Sequence, residues 1–458
     1  VVGPKTPTDI AQVPDPVMNH PTRRLTLSEA LRWGFLILLP LAVLGSIVAW
    51  PGLRTFSAFR LLYILLCLGT AGWLLRERKL PRVHVRTYLA FLAFWVAWTL
   101  LSLLWAADKL AGIRYSIFLI MMASLSAATP LAVTRVRYLR VALLLLLAVL
   151  GLALSIGLLE IATDFRLPTS MLVGLPERYQ WAVTSFFHNQ NDFATYIALW
   201  LPVLAAIPFF TRRAPPLALA FIGSLVCATC LLYTGSRTNL LALVLMGPSL
   251  LVVLALRRGT GSSPWQWILG CVLLCSVATL MFLGATGRLP ALSLPWVGVQ
   301  HWRFDTLEAE IEAGEGSGGN RIKLIQGGLA AVRDSGLLGL GPGNAETYLR
   351  EQRGLELVQN LHNWWLEVLV NSGVLVFLGY VTFYVVLLWN LLRVAVASDR
   401  TVVALSATAL VVALVGYAAG SLSPSSAIHF TPMWIHFGLA LAVLNLHRTR
   451  APDDLTVA

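Results

Sequence analysis

The residue best suited to acid–base chemistry is His362, in LHNWWLEVLVNSG. An imidazole with an ordinary pKa of about 6.5 can take up a proton near neutrality. His362 stands one turn ahead of an apolar run, beside Asn363, Trp364 and Trp365. Tryptophan belongs where a helix meets a membrane surface; histidine has no anchoring role there. The competing reading is a hydrogen-bonded structural histidine. Glu367 lies five residues on, off the helical face of His362.

Cations that suit phosphate oxygens accompany it. Arg237, in YTGSRTNLLALVL, sits at a helix start that Ser236 or Thr238 can cap. A helix N-terminus favours anions, and the guanidinium fork matches phosphate geometry. The competing reading is an interfacial anchor. Arg321 and Lys323, in GGNRIKLIQGGL, begin a helix after a flexible hinge. They can meet an anionic headgroup or simply form a solvated face. Arg178 lies in the short segment LPERYQW. Downstream, His188, Asn189, Gln190, Asn191 and Asp192 enter another apolar run, with Asn191 or Asp192 suited to cap it. Polar residues bunched at that depth suggest a lined cavity.

Other chemistries lack their patterns. The sequence has no Walker A motif, no HExxH and no Cys/His metal spacing. Acids buried in the middle of apolar runs are nearly absent, which weakens a proton-coupled transporter. The expected chemistry is electrostatic, carried by arginines and a histidine, with no metal site and no cofactor.

These side chains need a membrane frame. The chain has 458 residues, 57% hydrophobic and 12% charged, with mean hydropathy +0.74. Soluble domains run at about 25% charged. A soluble enzyme, a disordered chain and a collagen-like fibre are excluded; an all-α polytopic membrane protein remains. Continuous Leu- and Ala-rich runs fall near 33–50, 58–75, 88–106, 114–133, 140–160, 193–210, 216–233, 239–256, 266–285, 366–391, 402–420 and 429–446. Their continuity argues against strands.

The net charge of +12 sorts by side. With both termini cytoplasmic, the inner segments hold 20 of the 34 basic residues and only seven of the 22 acids. The excess therefore sets orientation, and nucleic acid is not an expected partner. The five cysteines all lie in apolar runs and read as small buried hydrophobes. Residues 1–32 are expected to be a cytoplasmic tail without a signal peptide. Residues 33–285 carry nine spans, 286–365 an outer loop, 366–446 three spans and 447–458 a second cytoplasmic tail. Within the loop, DTLEAEIEAGEGSGGN reads as an acidic helix ending in a hinge. RIKLIQGGLAAVRDSG reads as an amphipathic helix with Ile322, Ile325, Leu329 and Val332 on its apolar face.

TGSRTNLLAL, RIKLIQGGLAAVRDSGLLGLGPGN and LHNWWLEVLVNSGVLVFLGY, in that order, resemble the bacterial O-antigen ligase/polymerase superfamily. FFHNQNDFATYIALWLP looks like the version seen in teichuronic-acid-type polymerase relatives. The resemblance implies a GT-C-like fold of about twelve transmembrane helices, with a large extracytoplasmic helical loop between the ninth and tenth. It implies transfer of a glycan from undecaprenyl pyrophosphate to an acceptor hydroxyl on the outer face of the cytoplasmic (inner) membrane. The acceptor is a lipid A core sugar, a growing surface polysaccharide or a protein hydroxyl, depending on the branch. The family's two arginines fall on Arg237 and Arg321, and its histidine on His362. Lys323 and Arg178 are further candidates for the pyrophosphate; Asn189, Asn191, Asp192 and Asn363 are candidates for lining the acceptor. A metal-independent, inverting transfer follows, with membrane lipids as the other partners. A lipid-linked glycan flippase fits the span count equally well, but polar residues gathered on one side argue against it. A scaffold for envelope assembly leaves the Arg/His cluster without a purpose.

Overall fold

The computed structural model describes residues 26–50, 53–77, 83–163, 165–174, 182–257, 312–314, 316–355, 360–422, 424 and 428–449. The expected run at 266–285, residues 305–311 of the acidic segment, Arg178, Cys271, Cys275 and most of both tails lie outside them.

The described chain is helical apart from one small hairpin. In order come α1 (Leu27–Leu44), β1 (Ala49–Trp50), β2 (Leu53–Ser57), α2 (Ala58–Glu77), α3 (Arg86–Ser102), α4 (Lys109–Ala132) and α5 (Val136–Ala162). Then follow α6 (Gln190–Ala206), α7 (Ala214–Thr234), α8 (Arg237–Leu256), α9 (Gly316–Asp334), α10 (Ala345–Arg353), α11 (Trp364–Ala397), α12 (Thr401–Gly420) and α13 (Thr431–Thr449). Eleven of the twelve expected runs overlap a helix. Among the described residues, nine helices are long and apolar enough to cross a membrane. The hairpin departs from the expectation of no strands. It arises because α1 stops early, at Gly45 with φ +53°, inside the run read as one helix over 33–50.

The core lies where α12 packs against α6, α8 and α11, and where α13 packs against α4. Around them Trp95, Trp364, Tyr380, Trp434 and Phe437 form one buried aromatic cluster. The outside of the bundle is apolar too. Leu65, Leu68 and Phe221 are each at least 65% exposed, and α2 buries only Phe59. Such a surface would associate in water and is at home against lipid tails, as befits a polytopic membrane protein. Cys227 and Cys230 are buried as expected, but Cys67 is exposed on α2.

One joint sets the geometry of the site. Gly373 breaks α11 with φ +79°. The glycine-rich turn after α9 fills the break: Leu340 N donates to the Val370 carbonyl (2.9 Å), and Val374 N to the Leu337 carbonyl (2.9 Å). The backbone groups freed by the kink are thereby paired. Contact is backbone on backbone; a Cβ on Gly339 would come within 2.8 Å of Ser372 C and 3.0 Å of Asn371 C. Trp98 Nε1 donates to the Ser372 carbonyl (2.8 Å) and Trp105 Nε1 to the Gly339 carbonyl (2.9 Å), pinning both sides of the joint to the end of α3.

Candidate active site

The helix starts of α6, α8 and α11 and the end of α12 meet at one end of the bundle. His362 lies just before α11 with φ +46°, a conformation few non-glycine residues adopt and one that collects at functional positions. Its backbone N donates to Asn360 Oδ1 (2.9 Å). Asn363 then caps α11, its side chain accepting from Leu366 N (3.2 Å), and Trp364 N donates to the Ser421 carbonyl (3.2 Å). The histidine is thus held between α11 and the segment leaving α12.

The ring of His362 is half-buried. Burial first, and the positive charge of Arg321 second, hold it below the usual histidine value, against a hydrogen bond to the Pro424 carbonyl that favours the protonated form. At neutral pH the imidazole is therefore neutral. One ring nitrogen donates to Pro424, leaving the other as an acceptor; this tautomer follows from the bond. The two residues come together through the packing of α9 on α11. Leu324, Ala331, Leu349, Leu361, Leu366 and Val370 make a small separate core there.

That core revises the expected face of α9. Ile325 and Leu329 are exposed, at 40% and 55%. The buried face runs through Leu324, Gly327, Gly328 and Ala331, and of the expected residues it includes Val332. Two adjacent glycines let α9 approach more closely than isoleucine would allow. Arg321 lies two turns before Gly328 on that same side. Lys323 points elsewhere: it is exposed, with its ammonium beside Gly314.

Arg237 is the first residue of α8. Gly235, left-handed at φ +65°, ends α7 and lets the chain turn directly into α8. Ser236 occupies the cap position, as expected, yet its hydroxyl makes no cap bond; it accepts from Asn239 Nδ2 (2.9 Å). Asn239 also donates to Thr195 Oγ1 (3.1 Å), tying α8 to α6. Its Oδ1 is buried without a hydrogen-bond partner among the described residues, where a Cβ on Gly420 would lie 3.1 Å away.

The helix α6 is capped by Asn189, not Asn191 or Asp192: its side chain accepts from Asn191 N (2.7 Å). Asp192 is left in the first turn, facing the bundle. Tyr417 lies within electrostatic reach of both Asp192 and Glu367, and Tyr115 within reach of Glu367. Both tyrosine hydroxyls are buried without a hydrogen-bond partner among the described residues. Tyr115, Asn239 and Tyr417 were not singled out from sequence, because each looks like ordinary filling of an apolar run. Glu367, off the helical face of His362 as expected, is buried beside these tyrosines, where it can orient a neighbouring group. His188 is exposed, its Nδ1 against the Thr169 carbonyl at 2.9 Å.

The end of the bundle therefore combines a neutral imidazole, a nearby guanidinium, a second guanidinium at a helix start, and buried hydroxyl and carboxyl groups. Residues 222–381 match a family model described as O-antigen ligase, a segment that contains Arg237, Arg321 and His362. Over 407 residues the chain is 28% identical to the teichuronic acid biosynthesis protein TuaE of Bacillus subtilis (strain 168), covering 87% of this chain and 80% of that protein. The matched segment is thus similar to the O-antigen ligase family at the candidate site, and the likeness to TuaE extends along most of the chain.

Proposed function

We propose that this protein is a membrane glycosyltransferase moving a glycan from undecaprenyl pyrophosphate to an acceptor hydroxyl at the outer face of the cytoplasmic membrane. The observation that carries the reading is the pairing of a neutral His362 with Arg321, at the end of the bundle where Arg237 opens α8. The acceptor hydroxyl gives its proton to the free nitrogen of His362 as its oxygen attacks the anomeric carbon. The bond from that carbon to the pyrophosphate breaks, and its electron pair leaves on phosphate oxygen. Arg237 and Arg321 stabilise the charge developing there. Attack from the face opposite the leaving group inverts the anomeric centre. Asp192, Glu367 and the hydroxyls of Tyr115 and Tyr417 are placed to orient the acceptor.

The relative's name ties it to teichuronic acid synthesis, which favours a growing surface polysaccharide as acceptor over a lipid A core. The test is purified protein in nanodiscs with an undecaprenyl-pyrophosphate-linked oligosaccharide and an acceptor glycan. New glycosidic bonds are expected, unaffected by EDTA and lost in Arg237→Ala, Arg321→Ala and His362→Ala. Movement of the lipid without bond formation makes the protein a transporter, and three active variants move the site elsewhere.

A further inference from the structure

We propose that the opposite end of the bundle holds a binding site for an anionic phospholipid, with the phosphate at Arg448 and an acyl chain in a cleft between α3, α11 and α13. A cavity of about 370 Å³ lies there, lined among others by His84, Tyr88, Phe91, Phe383, Asn390 and Arg448. Asn390 stands 17 residues beyond the break at Gly373, roughly 26 Å along the axis at 1.5 Å per residue. That is most of the roughly 30 Å hydrocarbon core, and the candidate active site lies beyond the break at the other end of α11, so the two face opposite leaflets.

The rim is built. His84 N donates to Asn445 Oδ1 (2.8 Å), fixing the segment before α3 onto α13. Arg448 Nη1 donates to the His84 carbonyl (2.5 Å), which holds the exposed guanidinium at the mouth with other N–H groups to spare. Asn390 Nδ2 donates to Tyr88 Oη and to the Val386 carbonyl (both 2.9 Å), forming a polar collar. Among the described residues, no acidic side chain lines the cavity. Below the collar the walls are apolar, with the Phe91 and Phe383 rings 5.3 Å apart. The cleft needs Gly379: a Cβ there would sit 2.7 Å from Phe91 Cε2.

Shape and polarity select the occupant. A cation at the rim above an apolar cleft fits an amphiphile better than a free anion. At about 30 Å³ per water-sized group the cavity takes roughly a dozen heavy-atom groups, a headgroup and the start of a chain. The rest of the chain can follow the outward face of α11, where Leu375, Leu378, Val385 and Trp389 are more than half exposed. Basic pockets between helices on the cytoplasmic side commonly hold anionic headgroups.

The experiment is native mass spectrometry of the full chain in detergent, titrated with phosphatidylglycerol, phosphatidylcholine of the same acyl chains, and glycerol 3-phosphate. Phosphatidylglycerol should be retained at several-fold lower concentration than phosphatidylcholine. Arg448→Gln should weaken phosphatidylglycerol retention roughly fivefold, the share of one basic residue at a membrane surface. Thr382→Phe, which fills the cleft from an exposed helix face, should weaken retention of both lipids. Equal retention of the two lipids, an unaltered Arg448→Gln, an unaltered Thr382→Phe, or displacement of the lipid by glycerol 3-phosphate would each overturn the proposal.

Discussion

Gly328→Ala tests whether the close approach of α9 to α11 is what places Arg321 beside His362. The new Cβ would lie 2.7 Å from Leu366 Cδ2, 3.1 Å from Leu366 Cγ and 3.3 Å from Leu361 Cδ2. Carbon atoms rest about 3.5–4.0 Å apart, so α9 must withdraw by roughly 1 Å. Neither leucine has free space to yield, being 6% and 2% exposed within a packed cluster. Overpacking of this size costs about 1–3 kcal/mol, and alanine in place of helical glycine returns about 1 kcal/mol. The variant therefore folds, with a melting temperature close to wild type. Arg321 lies on the displaced face, and a misplacement of about 1 Å can cost on the order of 100-fold in rate. Transfer in nanodiscs should fall by about 10- to 100-fold while thermal stability barely changes. Adding Leu366→Ala removes the obstructing atoms and should restore much of the rate, although Leu366→Ala alone loses about 2–5 kcal/mol of stability. Wild-type turnover by Gly328→Ala, or a loss that Leu366→Ala leaves untouched, refutes the geometric argument.

Two further outcomes follow from the same contacts. The acid limb of kcat/KM should fall below pH 6.5, because burial and Arg321 both disfavour the protonated His362. Arg321→Gln removes a positive neighbour, makes protonation easier and should move that limb to higher pH; a limb that stays put means His362 is not the titrating base. Gly339→Ala should sharply lower the melting temperature, since it sets a side chain at φ +85° against the backbone of residues 371–373. Wild-type melting would show that the kink in α11 does not depend on the glycine-rich turn.

The helices were legible because a continuous apolar run of about 20 residues has few other destinations. Their ends were less so. Asn189 caps α6 although Asn191 and Asp192 are equally good cap types, and only the path of the preceding loop decides among them. The face of α9 departs in part from its apolar periodicity for a related reason. Apolar periodicity counts side chains, and Gly327 and Gly328 have none, so the surface of closest approach looked like the polar side. Of the candidates, Arg237 and His362 stand out by residue type and position at run ends, Arg321 by its place at the start of a loop helix, and the resemblance joins the three. The grouping of Asp192, Glu367, Tyr115 and Tyr417 could not, because it comes from four helices whose packing has no local signal in the chain.

The position of Arg237 carries its own argument. Among the helices that begin at this end, α6, α8 and α11 carry the candidate residues, and each N-terminus presents roughly half a positive charge. The first turns of α6 and α11 carry Asp192 and Glu367, which offset it. The first turn of α8 has no acid and begins with an arginine. A cation there opposes the helix dipole by about 0.3–1 kcal/mol, so helix stability is not what holds Arg237 in place. An anion bound at that helix start would be met by the dipole and the guanidinium together. Arg237→Gln should therefore leave the melting temperature undiminished while lowering kcat by about 100-fold, the scale of one lost charge-stabilising donor. Were melting temperature and turnover to fall together, Arg237 would be a packing residue, and the proposed pyrophosphate site would rest on Arg321 alone.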